Sequence, residues 1–100
     1  MKLPGGNMLT KMQEQMKATR DELAQELLSV TSDGGGVTVT ISGTQRVQAV
    51  QLSPQLLSDG DTELLGNLLV ATINKAIEES QLKAAEKLGS LAGGMGVPGP

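Results

Sequence analysis

Three acidic residues at alternate positions form the motif that most resembles a site for chemistry: Asp59, Asp61 and Glu63. Carboxylates at positions one, three and five begin the calcium-binding loop of an EF-hand. The rest of that loop is missing, because position six is Leu64 where glycine is needed and position twelve is Val70 where glutamate is needed. The pattern therefore favours helix capping by these acids over metal binding, and we expect neither a metal nor a cofactor.

Side chains for catalysis are scarce in this sequence. It contains no His and no Cys, which excludes imidazole bases, thiol nucleophiles, disulfides and the usual zinc sites. It has no Gly-x-Ser-x-Gly motif. The glycine run at 34–36 lacks the Lys-Ser/Thr of a phosphate-binding P-loop and predicts a hairpin turn instead. We expect no enzymatic activity and no small-molecule substrate.

Half of the Lys and Arg residues lie in the first twenty positions: Lys2, Lys11, Lys17 and Arg20. This segment carries a net charge of +3, whereas residues 21–63 carry a net charge of −6. Cations on a helix contact DNA phosphates without reading sequence, and such contacts weaken with salt. On the sequence alone, a solvent-exposed helix face is the simpler interpretation. The absence of aromatic residues disfavours the binding of single strands by base stacking.

Two long helices around a small sheet are predicted to position these residues. Apolar residues three, four and seven apart predict a first helix from Met8 to about Leu28, with Asn7 as its N-cap. The apolar stripe is narrow, as in a coiled coil or in a helix lying across a sheet. Met8, Met12 and Met16 share the stripe with Leu9 and Leu23, which favours core or dimer packing over an adaptable partner-binding surface.

Alternating apolar residues predict three short strands, over residues 29–32, 37–41 and 46–52. Turns at 33–36 and 42–45 separate them. The third strand has an imperfect phase, because its apolar residues fall on both faces. This indicates either a second face covered by a partner or a β-bulge that shifts the register.

The second long helix is predicted from about Thr62 to Leu88, after a short turn of helix that begins at Ser53-Pro54. Gly89 suits a C-terminal cap, and residues 89–100 are rich in Gly and Pro, which predicts a flexible tail behind one domain of residues 1–88. The first half of this helix is apolar nearly all round, so we expect it to be buried on more than one side.

An obligate homodimer is expected, because one hundred residues without a single aromatic side chain bury too little surface alone. The third strand and the second long helix supply the candidate interface residues: Val47, Val50, Leu64, Leu65, Leu68, Leu69 and Ile73. We find no signal peptide and no apolar run long enough to span a bilayer. We therefore expect a soluble, cytoplasmic protein with no membrane partner.

The chain resembles the YbaB/EbfC family of small bacterial nucleoid-associated proteins from residue 8 to residue 88. The resemblance rests on the order of a Met- and Gln-rich helix, a Gly-rich turn before VTVTISG, the segment RVQAVQLSPQLL and a long second helix. The family usually has an acid at the position of Ser53. The resemblance implies an α+β fold of the order α-β-β-β-α, forming a homodimer whose helices project like tweezers.

The resemblance also implies a function, namely binding of duplex DNA with little sequence specificity, which influences nucleoid organisation and gene expression. We infer the DNA-contacting residues from charge and helix position: Lys2, Lys11, Lys17, Arg20, Lys83 and Lys87. The competing hypothesis is a protein–protein adaptor whose projecting helices clamp a partner. Basic side chains clustered on one face favour DNA binding, whereas cations each matched by an acid four residues away favour the adaptor.

Overall fold

The structure is a computed structural model that describes the backbone of residues 4–94 and the side chains of residues 8–90. It has the predicted α+β architecture, in which two long helices flank a three-stranded antiparallel sheet. The elements in chain order are α1 Pro4–Gln25, β1 Leu27–Thr31, β2 Val37–Ser42, β3 Val47–Leu52, α2 Pro54–Ser58 and α3 Thr62–Gly94.

The central strand β2 carries most of the small core. Its alternate residues Val37, Val39 and Ile41 are fully buried, as the alternating pattern predicts for one covered face. They pack with Val30 of β1 and Ala76 of α3, and a rim of half-buried leucines and isoleucines surrounds them. The other face of the sheet is polar, and hydroxyls of β1 and β2 pair across it.

A β-bulge accounts for the imperfect phase of β3. The register pairs Thr40 with Ala49 but Ile41 with Val47, so that Gln48 is the extra residue. The bulge brings the apolar residues of β3 opposite the buried residues of β2. Even so, Val47 and Val50 remain 43% and 42% exposed, because β3 is an edge strand that no described element covers.

Three predicted helix limits are wrong. Helix α1 begins at Pro4, so Asn7 lies inside it rather than capping it. The helix ends at Gln25, because residues 27–28 pair with the end of β2 and therefore belong to β1. Helix α3 continues through Gly89 to Gly94, so Gly89 is not its C-terminal cap. The remainder of the predicted flexible tail, residues 95–100, lies outside the described residues.

Helix α1 projects from the sheet. Residues 8–18 are all exposed, and the helix packs on the body through Thr19 and Leu23 near its end. The radius of gyration is 19.3 Å and the longest extent is 68 Å. A compact chain of this length would have a radius of gyration of about 13 Å. A single copy therefore leaves much of its helical surface without a protein contact.

Candidate nucleic-acid interface

A buried serine on α3 holds the β2–β3 turn in place. The Ser80 hydroxyl donates to the backbone oxygen of Ser42 at 2.6 Å. The Ser80 hydroxyl oxygen in turn accepts from the backbone nitrogen and the side-chain nitrogen of Gln45, at 3.2 Å and 3.1 Å. Gln45 has a left-handed backbone with φ of +62°, a conformation that non-glycine residues adopt only when their surroundings hold them there. The two hydrogen bonds to Ser80 stabilise Gln45 in this conformation.

Close approach at Gly43 fixes α1 against this turn. The Gly43 nitrogen donates to the backbone oxygens of Leu23 and Glu26, at 2.9 Å and 3.0 Å. A Cβ atom at position 43 would lie 2.8 Å from the Leu23 oxygen, so a larger residue does not fit. The glycine thus lets the turn bond directly to the last turn of α1 and sets the angle at which α1 projects.

An ion-pair cluster ties α1 to α3 beside this contact. The Lys87 ammonium lies 2.9 Å from Glu26 Oε1 and 3.0 Å from Glu22 Oε2. The hydrogen bond from Lys87 holds the pKa of Glu26 below its ordinary value, and the two carboxylates raise the pKa of Lys87. Because two acids neutralise its charge, Lys87 is better suited to joining the helices than to contacting a phosphate.

A cleft of about 670 Å³ opens between α1, the β2–β3 turn and α3. Lys17 and Arg20 line it together with apolar side chains of both helices: Met16, Leu23, Ala84 and Leu88. Both ion pairs among the side chains of residues 8–90 are made by Lys87, so Lys17 and Arg20 are unpaired within that range. Asp21 follows Lys17 by four residues, yet the two form no ion pair.

The six predicted DNA contacts therefore separate into different environments. Lys17 and Arg20 share the cleft, whereas Lys11 lies about 120° around α1 from Lys17 by helix geometry. Lys83 is exposed on α3 and contributes to the low pKa of Glu26. Lys2 lies outside the described residues. The structure thus brings two of these cations together beside a cleft.

Two remaining motifs have structural roles. Asp61 Oδ1 accepts from the backbone nitrogen of Leu64 at 2.9 Å and so caps α3, as predicted for the acidic triplet. Ser80 and Lys83 have the Ser-x-x-Lys spacing of some acyl-transfer enzymes. The Ser80 hydroxyl is fully buried and donates to Ser42, so this pair offers no accessible nucleophile.

Comparison with known proteins identifies the family. Residues 6–95 match the family model described as the YbaB/EbfC DNA-binding family. This chain belongs to the YbaB/EbfC family. The resemblance drawn from the sequence is therefore confirmed, and so is the fold class that it implied.

Relatives of this YbaB/EbfC chain include proteins named as nucleoid-associated. One from Syntrophobacter fumaroxidans is 35% identical over 88 residues, covering 88% of this chain and 80% of that protein. One from Rhodococcus erythropolis is 40% identical over 85 residues, covering 85% of this chain and 76% of that protein. A crystal structure of an uncharacterised protein from Helicobacter pylori aligns with a TM-score of 0.71 over 90% of both chains. Its 22% identity shows likeness of fold alone.

The predicted interface residues of this YbaB/EbfC chain divide into two groups. Val47, Val50 and Leu64 are exposed in the single copy. The other four are partly buried against the core of their own protomer: Leu65, Leu68, Leu69 and Ile73. Other apolar residues that were not predicted to lie in the interface are also exposed in the single copy, notably Leu27, Val70 and Leu82. Within the described residues, neither long helix has the length and apolar character needed to cross a membrane.

Proposed function

We propose that this chain is a nucleoid-associated protein that binds duplex DNA as a homodimer, with little sequence specificity. The observation that carries this proposal is the pair of cations at the base of the projecting helix. Lys17 and Arg20 lie side by side, exposed and unpaired within the described residues, in a chain of a DNA-binding family. Through such binding the protein would influence nucleoid organisation and gene expression, and its place would be the nucleoid within the cytoplasm.

Contacts of this kind go to phosphates. Lys and Arg on the side of a helix bind the backbone of the duplex and leave the bases unread, which gives little sequence preference. Each phosphate contact releases counterions, so affinity falls steeply as salt rises. The acidic total charge, −3 per chain, adds repulsion and makes the expected binding weak.

Dimerisation supports this function by doubling the cations. An unpaired edge strand with exposed apolar residues is a ready site for a second copy, because its backbone groups and its valines both lack cover. The exposed valines on this edge are Val47 and Val50, and Leu64 at the start of α3 is a further exposed apolar side chain. Two copies joined there would present two projecting α1 helices to one duplex.

The test is an anisotropy titration of a labelled duplex at low and near-physiological salt. Lys17→Ala and Arg20→Ala are compared with Lys75→Ala, which removes one exposed charge elsewhere on the sheet-covering helix. We expect affinity to fall with salt and with each cleft substitution, and to change little with Lys75→Ala. The triple variant Lys11→Ala/Lys17→Ala/Arg20→Ala tests the whole of α1. No binding by the wild type at micromolar concentrations in low salt would overturn the proposal.

A second function, that of a protein–protein adaptor, has one specific observation in its favour. The cleft has apolar side chains from two helices, Met16 and Leu88, which a phosphate backbone does not need. Apolar grooves between helices typically receive another amphipathic segment. Failure to bind DNA combined with capture of one defined partner that depends on Met16 would favour this function.

A further inference from the structure

The cleft is lined by both exposed apolar side chains and cations, so a ligand that fits it has an apolar part and an anionic part. Met16 is 55% exposed and Leu88 is 43% exposed, although both face the space between α1 and α3. Lys17 and Arg20 stand beside them with no ion pair to any described residue. A matching ligand therefore combines carboxylates with a protruding apolar side chain.

Such a combination is present elsewhere on the same chain. The acidic corner comprises Leu57 on α2 and the three acids that follow it, Asp59, Asp61 and Glu63. Leu57 is 54% exposed, and all three acids are exposed and make no ion pair within the described residues. This corner belongs to the segment of net charge −6, whereas the cleft cations belong to the segment of net charge +3.

The cleft and the acidic corner lie at opposite ends of the sheet. The β2–β3 turn that borders the cleft follows Ser42, at one end of β2. The acidic corner follows Leu52, which pairs with Val37 at the other end. Six residues of strand separate these ends by roughly 20 Å. The corner of one copy therefore does not reach its own cleft.

We propose that the cleft receives the acidic corner of a second copy of this chain. Leu57 enters between α1 and α3, and the carboxylates lie against Lys17 and Arg20. The contact is heterologous, because different surfaces of the two copies meet. A homodimer carries two clefts and two corners, so this contact joins one dimer to the next and lets assemblies grow with concentration. The contact uses the cations assigned above to DNA, so duplex DNA and the second copy exclude one another.

The test is sedimentation velocity over a wide range of protein concentration, at low salt and without DNA. Working without DNA separates a failure of this contact from a failure of DNA binding. We expect the wild type to grow beyond its basal unit as concentration rises, and to return to that unit in high salt, because the contact is electrostatic.

Charge reversal distinguishes the two surfaces. The cleft variant is Lys17→Glu/Arg20→Glu, and the corner variant is Asp59→Lys/Glu63→Lys, which keeps the capping Asp61. Each alone is expected to raise the concentration for half-association by about tenfold or more, since repulsion replaces attraction. An equal mixture of the two is expected to associate again, because each reversed surface then meets an opposite charge. The control Lys11→Glu/Lys75→Glu makes the same charge change as the cleft variant away from both surfaces.

A wild-type mass that is constant with concentration would overturn the proposal. So would a mixture that fails to restore association, or a control variant that behaves like the cleft variant. Circular dichroism confirms that each variant is folded. If a reversed variant unfolds, the neutral variants Lys17→Gln/Arg20→Gln and Asp59→Asn/Glu63→Gln replace it, and both must weaken association. Leu57→Ala tests the apolar part of the contact and must weaken association without any change of charge.

Discussion

The Ser80 hydroxyl on α3 donates a hydrogen bond of 2.6 Å to the backbone oxygen of Ser42, thirty-eight residues earlier in the chain. Ser80 is completely buried, and its oxygen also accepts from both nitrogens of Gln45. One hydroxyl therefore satisfies three polar atoms of the turn that borders the cleft. Through this side chain α3 bonds directly to the turn.

Ser80→Ala is expected to destabilise the protein by about 0.5–1.5 kcal/mol, because it removes the hydrogen bonds that join α3 to the turn, while the Ser42 oxygen and the Gln45 nitrogens keep their bonds within the turn. The measurement is urea unfolding followed by far-ultraviolet circular dichroism. Ser90→Ala, at an exposed position of the same helix, is the matched control and should change the free energy of unfolding by less than about 0.5 kcal/mol. Equal effects of the two substitutions would contradict the role assigned to Ser80.

Two glycines are expected to respond to alanine in opposite directions. At Gly43 the new Cβ meets the Leu23 oxygen at 2.8 Å, so Gly43→Ala should cost about 1–3 kcal/mol of stability. Gly66 lies inside α3 with nothing within 4 Å of a new Cβ, so Gly66→Ala should stabilise by about 0.4–1 kcal/mol. Thermal unfolding of both variants checks the pair. A destabilising Gly66→Ala would show that another surface packs against that position.

The Lys87–Glu26 pair is expected to make stability depend on pH at both extremes. The folded pKa of Glu26 lies below its ordinary value of 4.5, so its contribution is complete above that pH and is lost as pH falls through the folded pKa. The folded pKa of Lys87 lies above 10.5, so its contribution is complete below that pH and is lost as pH rises through the folded pKa. The contribution of the Lys87–Glu26 pair to the free energy of unfolding is therefore constant between these two pH limits.

The check is a comparison of wild type with Lys87→Met over pH. The stability difference should be flat at neutral pH, and should shrink below pH 4.5 and above pH 10.5. The double variant Glu26→Gln/Lys87→Met lacks both partners, so its own free energy of unfolding should carry neither of these two pH-dependent contributions. A difference that follows pH through the neutral range would mean that other groups are responsible.

Val50→Glu is expected to convert the proposed homodimer into monomer. The charge would stand on the apolar face of β3, where Val50 pairs with the buried Val39. Gln51→Glu adds the same charge to the neighbouring residue of the strand, which points to the opposite face, and should leave the mass unchanged. Size-exclusion chromatography with light scattering measures both. Loss of the dimer with Gln51→Glu alone would move the interface to the polar face of the sheet.

Local sequence determined those elements whose stabilising contacts lie within a few residues. The alternation of Val37, Val39 and Ile41 specified a strand with one buried face, and the structure has it. Ser53 and the acids at 59 and 61 suit helix caps by residue type and position, and the structure uses Ser53 and Asp61, each of which accepts from the backbone nitrogen three residues ahead. The family resemblance, carried by the order of such elements, was sound for the same reason.

Tertiary structure decided what depends on distant partners. Residues 27–28 suit a helix, yet they are strand because their backbone pairs with Ile41 and Ser42. Gly89 suits a helix end, yet it lies inside α3, which continues to Gly94. The pairing of residues 27–28 is with residues more than ten positions away, which a local pattern does not contain.

The candidate site shows the same division. Sequence alone determined which residues carry positive charge and that α1 is the basic end of the chain. Only the fold separated them, because Lys87 meets Glu26 from sixty-one residues away while Lys17 and Arg20 meet no acid among the described residues. An ion pair forms where folding brings two charges within a few ångströms, and spacing along the chain does not fix that distance.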